Sequence, residues 1–383
     1  MRKWKSLVTL LMFVTIWHPI GAHAELSTNA RIVARGLNNP RGLAFDPLGL
    51  FLFVAEAGLG GTNSTAGACE QAPPPEGPIT GGKTGRVSVI SPFGQRFTLI
   101  EGLPSSQTQF LDILGPTDIE FVRFKPHVLL QAGCSKGDPD VPNAVLKFKG
   151  RKVITAADLS DFTVKNPQNY PPDDDQDPEG VPFSFKADGK GGLLVVDANR
   201  STVNRVAPDG AVTRFADLAE FVRDYDTPVA IDIDKHGNVF IGSFSALPYA
   251  AGASTIYKIV PTGRISVVAR GFTTLIDITF DREGALYVLE TSTGNTGEPP
   301  FLFRETGRVT RLTRSGAVEV IATGLDFPTA MTLGPDGALY VSNRGHGVEL
   351  RPGQGEIVRI DLDPANRPPQ LPLAEILFDR LFF

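Results

Sequence analysis

The sequence predicts an all-β chain folded as a six-bladed β-propeller, and three observations carry that expectation. A strand, tight turn and second strand recur six times. The composition suits strands and turns, with 40 Gly and 31 Pro among 383 residues and 25 Phe beside many Val and Ile. The first strand after the N-terminus also looks like the last strand of the other units, whereas the last unit is one strand short.

The clearest copy of the unit is Phe327–Gly347, FPTAMTLGPDGALYVSNRGHG. Met331 and Leu333 alternate with smaller or polar neighbours, Pro335-Asp336-Gly337 marks the turn, and Leu339 and Val341 resume the alternation, as in a hairpin with one packed face. The strand-entry segments align at Pro40, Pro116, Pro178, Pro228, Leu275 and Pro328. A proline ahead of a strand costs no ladder hydrogen bond and fixes the direction in which the chain enters it. Two further strands complete each unit; in the fifth they are GRVTRLT and AVEVIATGL. ARIVARGL (Ala30–Leu37) resembles these fourth strands, and the sixth unit stops after GEIVRIDL (Gly355–Leu362). The N-terminal strand is therefore expected to complete the last blade and hide a sheet edge.

Residues 1–24 read as a secretory signal, with Arg2, Lys3 and Lys5 ahead of the apolar run Leu7–Ile16 and Ala22-His23-Ala24 at the cleavage site. Residues 25–362 are assigned to the propeller and 363–383 to a tail packed on it. The expected location is periplasmic or secreted, without a membrane span, and the expected state is a monomer. Without the signal the chain carries 34 Lys and Arg against 42 Asp and Glu. No basic stripe appears, which argues against nucleic acid or anionic lipid as the partner. Phosphate loops, dinucleotide fingerprints and nucleophile elbows are lacking, and neither nucleotide nor haem is expected. Cys69 and Cys134 are the only cysteines. Both are placed on one rim of adjacent blades, and a disulfide between them is expected.

Inner strands start, and second strands end, at one mouth of a propeller channel, where small-molecule sites form. That rule places Arg41, Asp118, Glu179 and Asp277 at inner-strand starts and Glu56, Gln131, Asp197, Ser243, Glu290 and Asn343 at second-strand ends. Of these, Arg41, Glu56, Asp118, Glu179, Asp197, Asp277, Glu290 and Asn343 are the candidate ligand contacts. Asp118 and Asp277 stand out because the aligned positions elsewhere are Gly42, Gly180, Ala230 and Ala330. They are the candidate metal ligands, with Ca²⁺ as the candidate cofactor, since hard cations take many oxygen ligands. The competing expectation is that the carboxylates bond backbone amides of neighbouring blades. The acidic run Asp173-Asp174-Asp175-Gln176-Asp177 could ligate Ca²⁺ or be a solvated loop. His346 is the one histidine placed to reach the mouth.

Across nearly all of the mature chain the sequence resembles the ScyD/ScyE family of exported propeller proteins. The resemblance rests on GLNNPRGLAFDP with VAEAGLGG, the Gly-rich loop bearing Cys69 and ending in KTGRVSVI, GPTDIEF, PEGVPF, VVDAN, FTTLIDITF with LYVLE, and PTAMTLGPDGALYVSN. It implies an exported propeller associated with secondary metabolism. Three functions are carried forward: an accessory protein that binds a small molecule at the channel mouth, a Ca²⁺-dependent hydrolase or lyase, and a protein-interaction scaffold whose partner is another protein.

Overall fold

A computed structural model describes residues 25–362 except 75, 111, 169–176, 223–225, 246–248, 296–300, 314–315 and 347–351. The expected signal (residues 1–24) and the expected C-terminal tail (363–383) lie outside the described residues, as do Asp173 and Asp175. Six antiparallel sheets, joined in chain order, form the blades of a β-propeller. The inner strands are Pro40–Phe45, Pro116–Val122, Pro182–Ala187, Asp226–Ile233, Leu275–Phe280 and Ala330–Leu333.

The closure follows the expected permutation. Ala30–Leu37 pairs antiparallel with Gly355–Ile360, running from Ala30 opposite Ile360 to Leu37 opposite Gly355, and is the outermost strand of blade six. Asn29 reinforces the seam, its side-chain amide donating to the carbonyls of Ile321 and Asp361 at 3.1 Å each. Most of the hairpin turns share one device, an Asp that accepts backbone N–H groups across the turn. In blade one the Asp46 carboxylate accepts the N–H groups of Leu50 and Phe51, and in blade four Asp234 accepts those of His236 and Asn238. Each such turn satisfies backbone donors locally, and Gly237 supplies the left-handed residue with φ 76°.

Blades pack face to face through apolar side chains that alternate along the strands. Aromatic pairs mark the seams: Phe53 meets Phe121 between blades one and two, Phe240 meets Phe280 between four and five, and Phe45 meets Tyr340 between one and six, all edge to face at about 5 Å.

Two register expectations are corrected. Blade three enters its inner strand at Pro182, opposite Asp197, not at Pro178. Two prolines four residues apart both offer the anchor, and only the pairing decides. Glu179 consequently lies in the Asp177–Gly180 turn ahead of the strand, and the residue equivalent to Asp118 is Ser184, not Gly180. In blade two Leu130 is opposite Pro116, so Gln131 is one residue beyond the position held by Glu56, Asp197, Ser243 and Glu290.

Blade one is enlarged. Its third and fourth strands, Thr80–Ile90 and Arg96–Gln107, run past the rim, and Asn63–Ser64 and Ile113–Leu114 add short pairings to them. The Cys69–Cys134 disulfide ties this extension to blade two, with Cα atoms 6.3 Å apart. A short helix, Leu159–Lys165, occupies the start of the other long loop, capped by Asp158 on the N–H of Asp161.

Deleting residues 25–38 removes the fourth strand of blade six and exposes its edge. The expected outcome on size-exclusion chromatography is loss of the monomer peak to aggregates. Replacing both cysteines by serine is expected to lower unfolding stability by about 2–4 kcal/mol in denaturant titration, because the bridge closes a long loop.

Candidate functional site

The residues singled out along the chain fall into three places. The second-strand ends are buried and hold the blade-to-blade connections. Glu56 accepts the N–H of Asn38 at 2.5 Å, a hydrogen bond from Ser88 and the Arg86 guanidinium at 2.6 Å. Glu290 repeats this in blade five, accepting the Thr273 N–H at 2.8 Å and Arg308 at 2.5 Å. Asn343 accepts the Asp326 N–H at 2.8 Å, and Asp197 accepts the N–H groups of Val181 and Arg200. Burial nonetheless pushes the Asp197 carboxyl up. Ser243 bonds Thr255, and Gln131 donates to the Pro182 carbonyl at 3.0 Å. Glu179 accepts the backbone and hydroxyl of Ser135, beside the fully buried Lys136, which pairs with Asp177 at 3.0 Å.

The second place is the channel wall. Asp118 Oδ2 accepts the N–H of Phe185 in the next blade at 2.9 Å, and Asp277 Oδ2 accepts that of Met331 at 2.7 Å; each Oδ1 takes the N–H of the following residue. Asp232, two residues deeper along its strand, treats Phe280 in the same way. Lys186 adds a cation, 3.2 Å from Asp232 and 3.5 Å from Glu120. Burial, with the Asp277 charge added, pushes the Asp118 carboxyl well above the usual range. Burial, with Asp232 added, pushes Asp277 up to about 7 against the opposing hydrogen bonds and Lys186. Lys186 is itself held well above the ordinary lysine range by Asp232.

Each oxygen of Asp118 and Asp277 thus accepts a backbone N–H, and among the described residues no three His, Cys, Asp or Glu side chains gather as a metal cage. The donor set does not fit Ca²⁺, which wants six to eight oxygens.

The third place is the mouth at the junction of blades one, two and six. Arg41, on the first inner strand, donates to the Ile113 carbonyl at 2.6 Å and lies 3.4 Å from Asp112 Oδ1. The same oxygen accepts His346 Nδ1 at 2.8 Å. Burial alone would raise the Asp112 carboxyl, but His346 and Arg41 outweigh it and hold that group well below the usual carboxylate range. Arg41, Asp112, Thr117, Gln131 and Phe183 line a cleft of about 30 Å³. Aromatic side chains stand nearby. Phe110 meets Phe301 edge to face at 6.0 Å, Phe327 meets the His346 ring at 6.0 Å, and Tyr249 is close enough to Asp112 for that charge, after burial, to raise its hydroxyl to about 12.

Sequence reasoning reached Arg41 and His346 at the mouth but missed Asp112, because it lies in the enlarged arm of blade one, outside the repeat. Asp232 and Lys186 were missed as well. Their signal was present: both sit two residues beyond the Asp118 position, on the face of the strand that points to the channel.

No family model and no curated protein matches the chain. Solved structures do. A PQQ-bound aldose sugar dehydrogenase from Streptomyces coelicolor is 13% identical with a TM-score of 0.53, covering 88% of this chain and 99% of its own. A Thermus thermophilus protein assigned as an oxidoreductase (glucose dehydrogenase) is 19% identical, with a TM-score of 0.51, covering 88% and 100%. The calcium-binding protein regucalcin from Agrobacterium tumefaciens is 14% identical, with a TM-score of 0.50, covering 88% and 97%. Likeness at these identities shows the shared β-propeller fold.

The channel carboxyls carry a pH consequence. A group whose folded pKa is raised binds more protons in the folded state, so stability is highest at or below the ordinary carboxylate pKa and falls as pH rises toward about 7 for Asp277. Asp277→Asn removes that slope. Between pH 4.5 and 8 the wild type is expected to lose on the order of 3 kcal/mol more unfolding free energy than the variant, read by denaturant titration at each pH. Parallel pH profiles would show that Asp277 does not titrate in this way.

Proposed function

We propose that this chain is an exported propeller that binds a small molecule at its channel mouth, in an accessory role in secondary metabolism like that implied by its ScyD/ScyE motifs. The observation that carries the proposal is the convergence of Arg41, Asp112 and His346 beside the cleft. The second-strand ends and channel Asp residues hold backbone amides, whereas this group unites an arginine, an ionised carboxylate and a partly exposed imidazole at the rim. The cleft has room for roughly two waters. It therefore suits the head group of a ligand, with the remainder lying over the mouth against aromatic side chains. Arg41 favours a carboxylate or another planar oxygen pair, which a guanidinium meets in fork geometry.

Isothermal titration with short-chain and benzoate-sized carboxylates tests the reading, in parallel with and without Ca²⁺ and chelator. At least one acid is expected to bind, and Arg41→Gln is expected to weaken it by about 10- to 100-fold, the loss of one charge-assisted hydrogen bond. Equal affinity in wild type and variant, both folded, would remove Arg41 from the site. Binding that requires Ca²⁺ would instead support a metal-dependent site.

A further inference from the structure

We infer that His346 and Asp112 form an acid–base pair that moves a proton on a carbonyl compound held by Arg41, so that the mouth catalyses exchange or isomerisation at a carbon next to a carbonyl. The inference rests on the small-molecule reading of the same mouth.

An ionised carboxylate only accepts hydrogen bonds, so the 2.8 Å contact places the imidazole proton on Nδ1 of His346. In the neutral ring that leaves Nε2 as a base. Among the described residues no hydrogen bond occupies Nε2, and both side chains are about 30% exposed. The pair is reachable as well as aligned. The chain before His346 is closely packed: a Cβ at Gly345 would lie 2.0 Å from the Pro40 carbonyl oxygen. Phe327, whose ring edge braces the imidazole, is held at φ 46°, a left-handed conformation that is strained for a bulky residue. The Arg344 N–H bonds the Asp326 carbonyl at 2.8 Å, and the Gly345 N–H bonds that of Phe327 at 3.2 Å. The Asp112 N–H donates to the Thr108 hydroxyl at 3.1 Å.

Arg41 Nη2 and His346 Nδ1 both lie within 3.4 Å of one Asp112 oxygen, which gathers the cation and the imidazole on one carboxylate; in the proposal one small molecule meets Arg41 and Nε2 together. In the step proposed, Nε2 takes a proton from the carbon next to the carbonyl. The C–H electron pair becomes the carbon–carbon π bond, and the carbonyl π pair moves to oxygen, where Arg41 meets the negative charge. Return of the proton from His346 to the same carbon regenerates the compound; delivery to a different atom isomerises it. No oxidant, reductant or second substrate is needed. His346 is the catalytic residue, and Asp112 positions it by fixing the tautomer.

The test uses 2-oxobutyrate in D₂O with the full mature chain. Proton NMR should show its C3 hydrogens replaced by deuterium at least tenfold faster with wild type than with His346→Gln or buffer. Asp112→Asn should slow exchange by ten- to a hundredfold, and the ¹⁵N shifts of His346 should show loss of the Nδ1–H tautomer, which a purely structural role would leave in place. Melting curves of each variant establish that it is folded. Exchange no faster than buffer, or equal in wild type and His346→Gln, overturns the proton transfer. Saturation transfer from protein to 2-oxobutyrate separates the causes. Contact without exchange overturns the chemistry and leaves the binding reading intact, whereas neither contact nor exchange overturns both.

Discussion

Closing six sheets into a ring leaves the inner strand of every blade with one edge that no other strand pairs, and satisfying that edge is the constraint on which much of this molecule depends. Asp118, Asp232 and Asp277 each reach across to an N–H of the next blade's inner strand. Ser184 and Thr117 donate to the neighbouring blade's carbonyls, as Thr329 does at the closing seam. Side chains replace the missing strand one bond at a time. The arrangement also sets the electrostatics, since burial and nearby negative charge favour the protonated forms of Asp118 and Asp277. Lys186 relieves part of that repulsion by standing between Glu120 and Asp232.

The same constraint separates the recurring contacts from those that occur once. A polar residue repeated at equivalent positions, such as Glu56 in blade one, Glu290 in blade five and Asn343 in blade six, accepts the N–H two residues ahead of its blade's anchor position. Recurrence of the bond, not merely of the residue, identifies a structural role. Asp112 and His346 have no counterpart among the described residues of the other blades. They come from the places where the chain departs from its repeat, the overlong arm of blade one and the loop after the second strand of blade six.

The architecture was legible in the sequence because it is periodic. Alternation gave the strands, Asp and Gly gave the turns, and the resemblance of Ala30–Leu37 to other fourth strands gave the closure. Cys69 and Cys134 were legible for a related reason: placing both on the repeat put them on adjacent blades at one rim. Register was less secure where anchors were doubled. Pro178 and Pro182 both precede apolar alternation, and the one-residue difference at Gln131 is invisible until cross-strand partners are known. Asp112 was not legible at all, because a residue outside the repeat has no position that periodicity can assign.

The mouth group lies on the closing seam of the ring. Arg41 belongs to the first inner strand and His346 to the last blade, and only ring closure makes them neighbours. The bonds at that junction are specific: Thr329 donates to the Pro40 carbonyl at 2.7 Å, and Ser342 to the Arg41 carbonyl at 2.6 Å. The missing side chain of Gly345 lets the His346 loop settle against Pro40. The N-terminal strand that completes blade six thus does more than hide an edge. It pairs with Gly355–Ile360 and runs on into the first inner strand, which carries Arg41. A loosened seam would disturb the mouth before it disturbed the cores between the other blades, because those cores are built from residues close in chain order whereas this junction joins the two ends of the propeller.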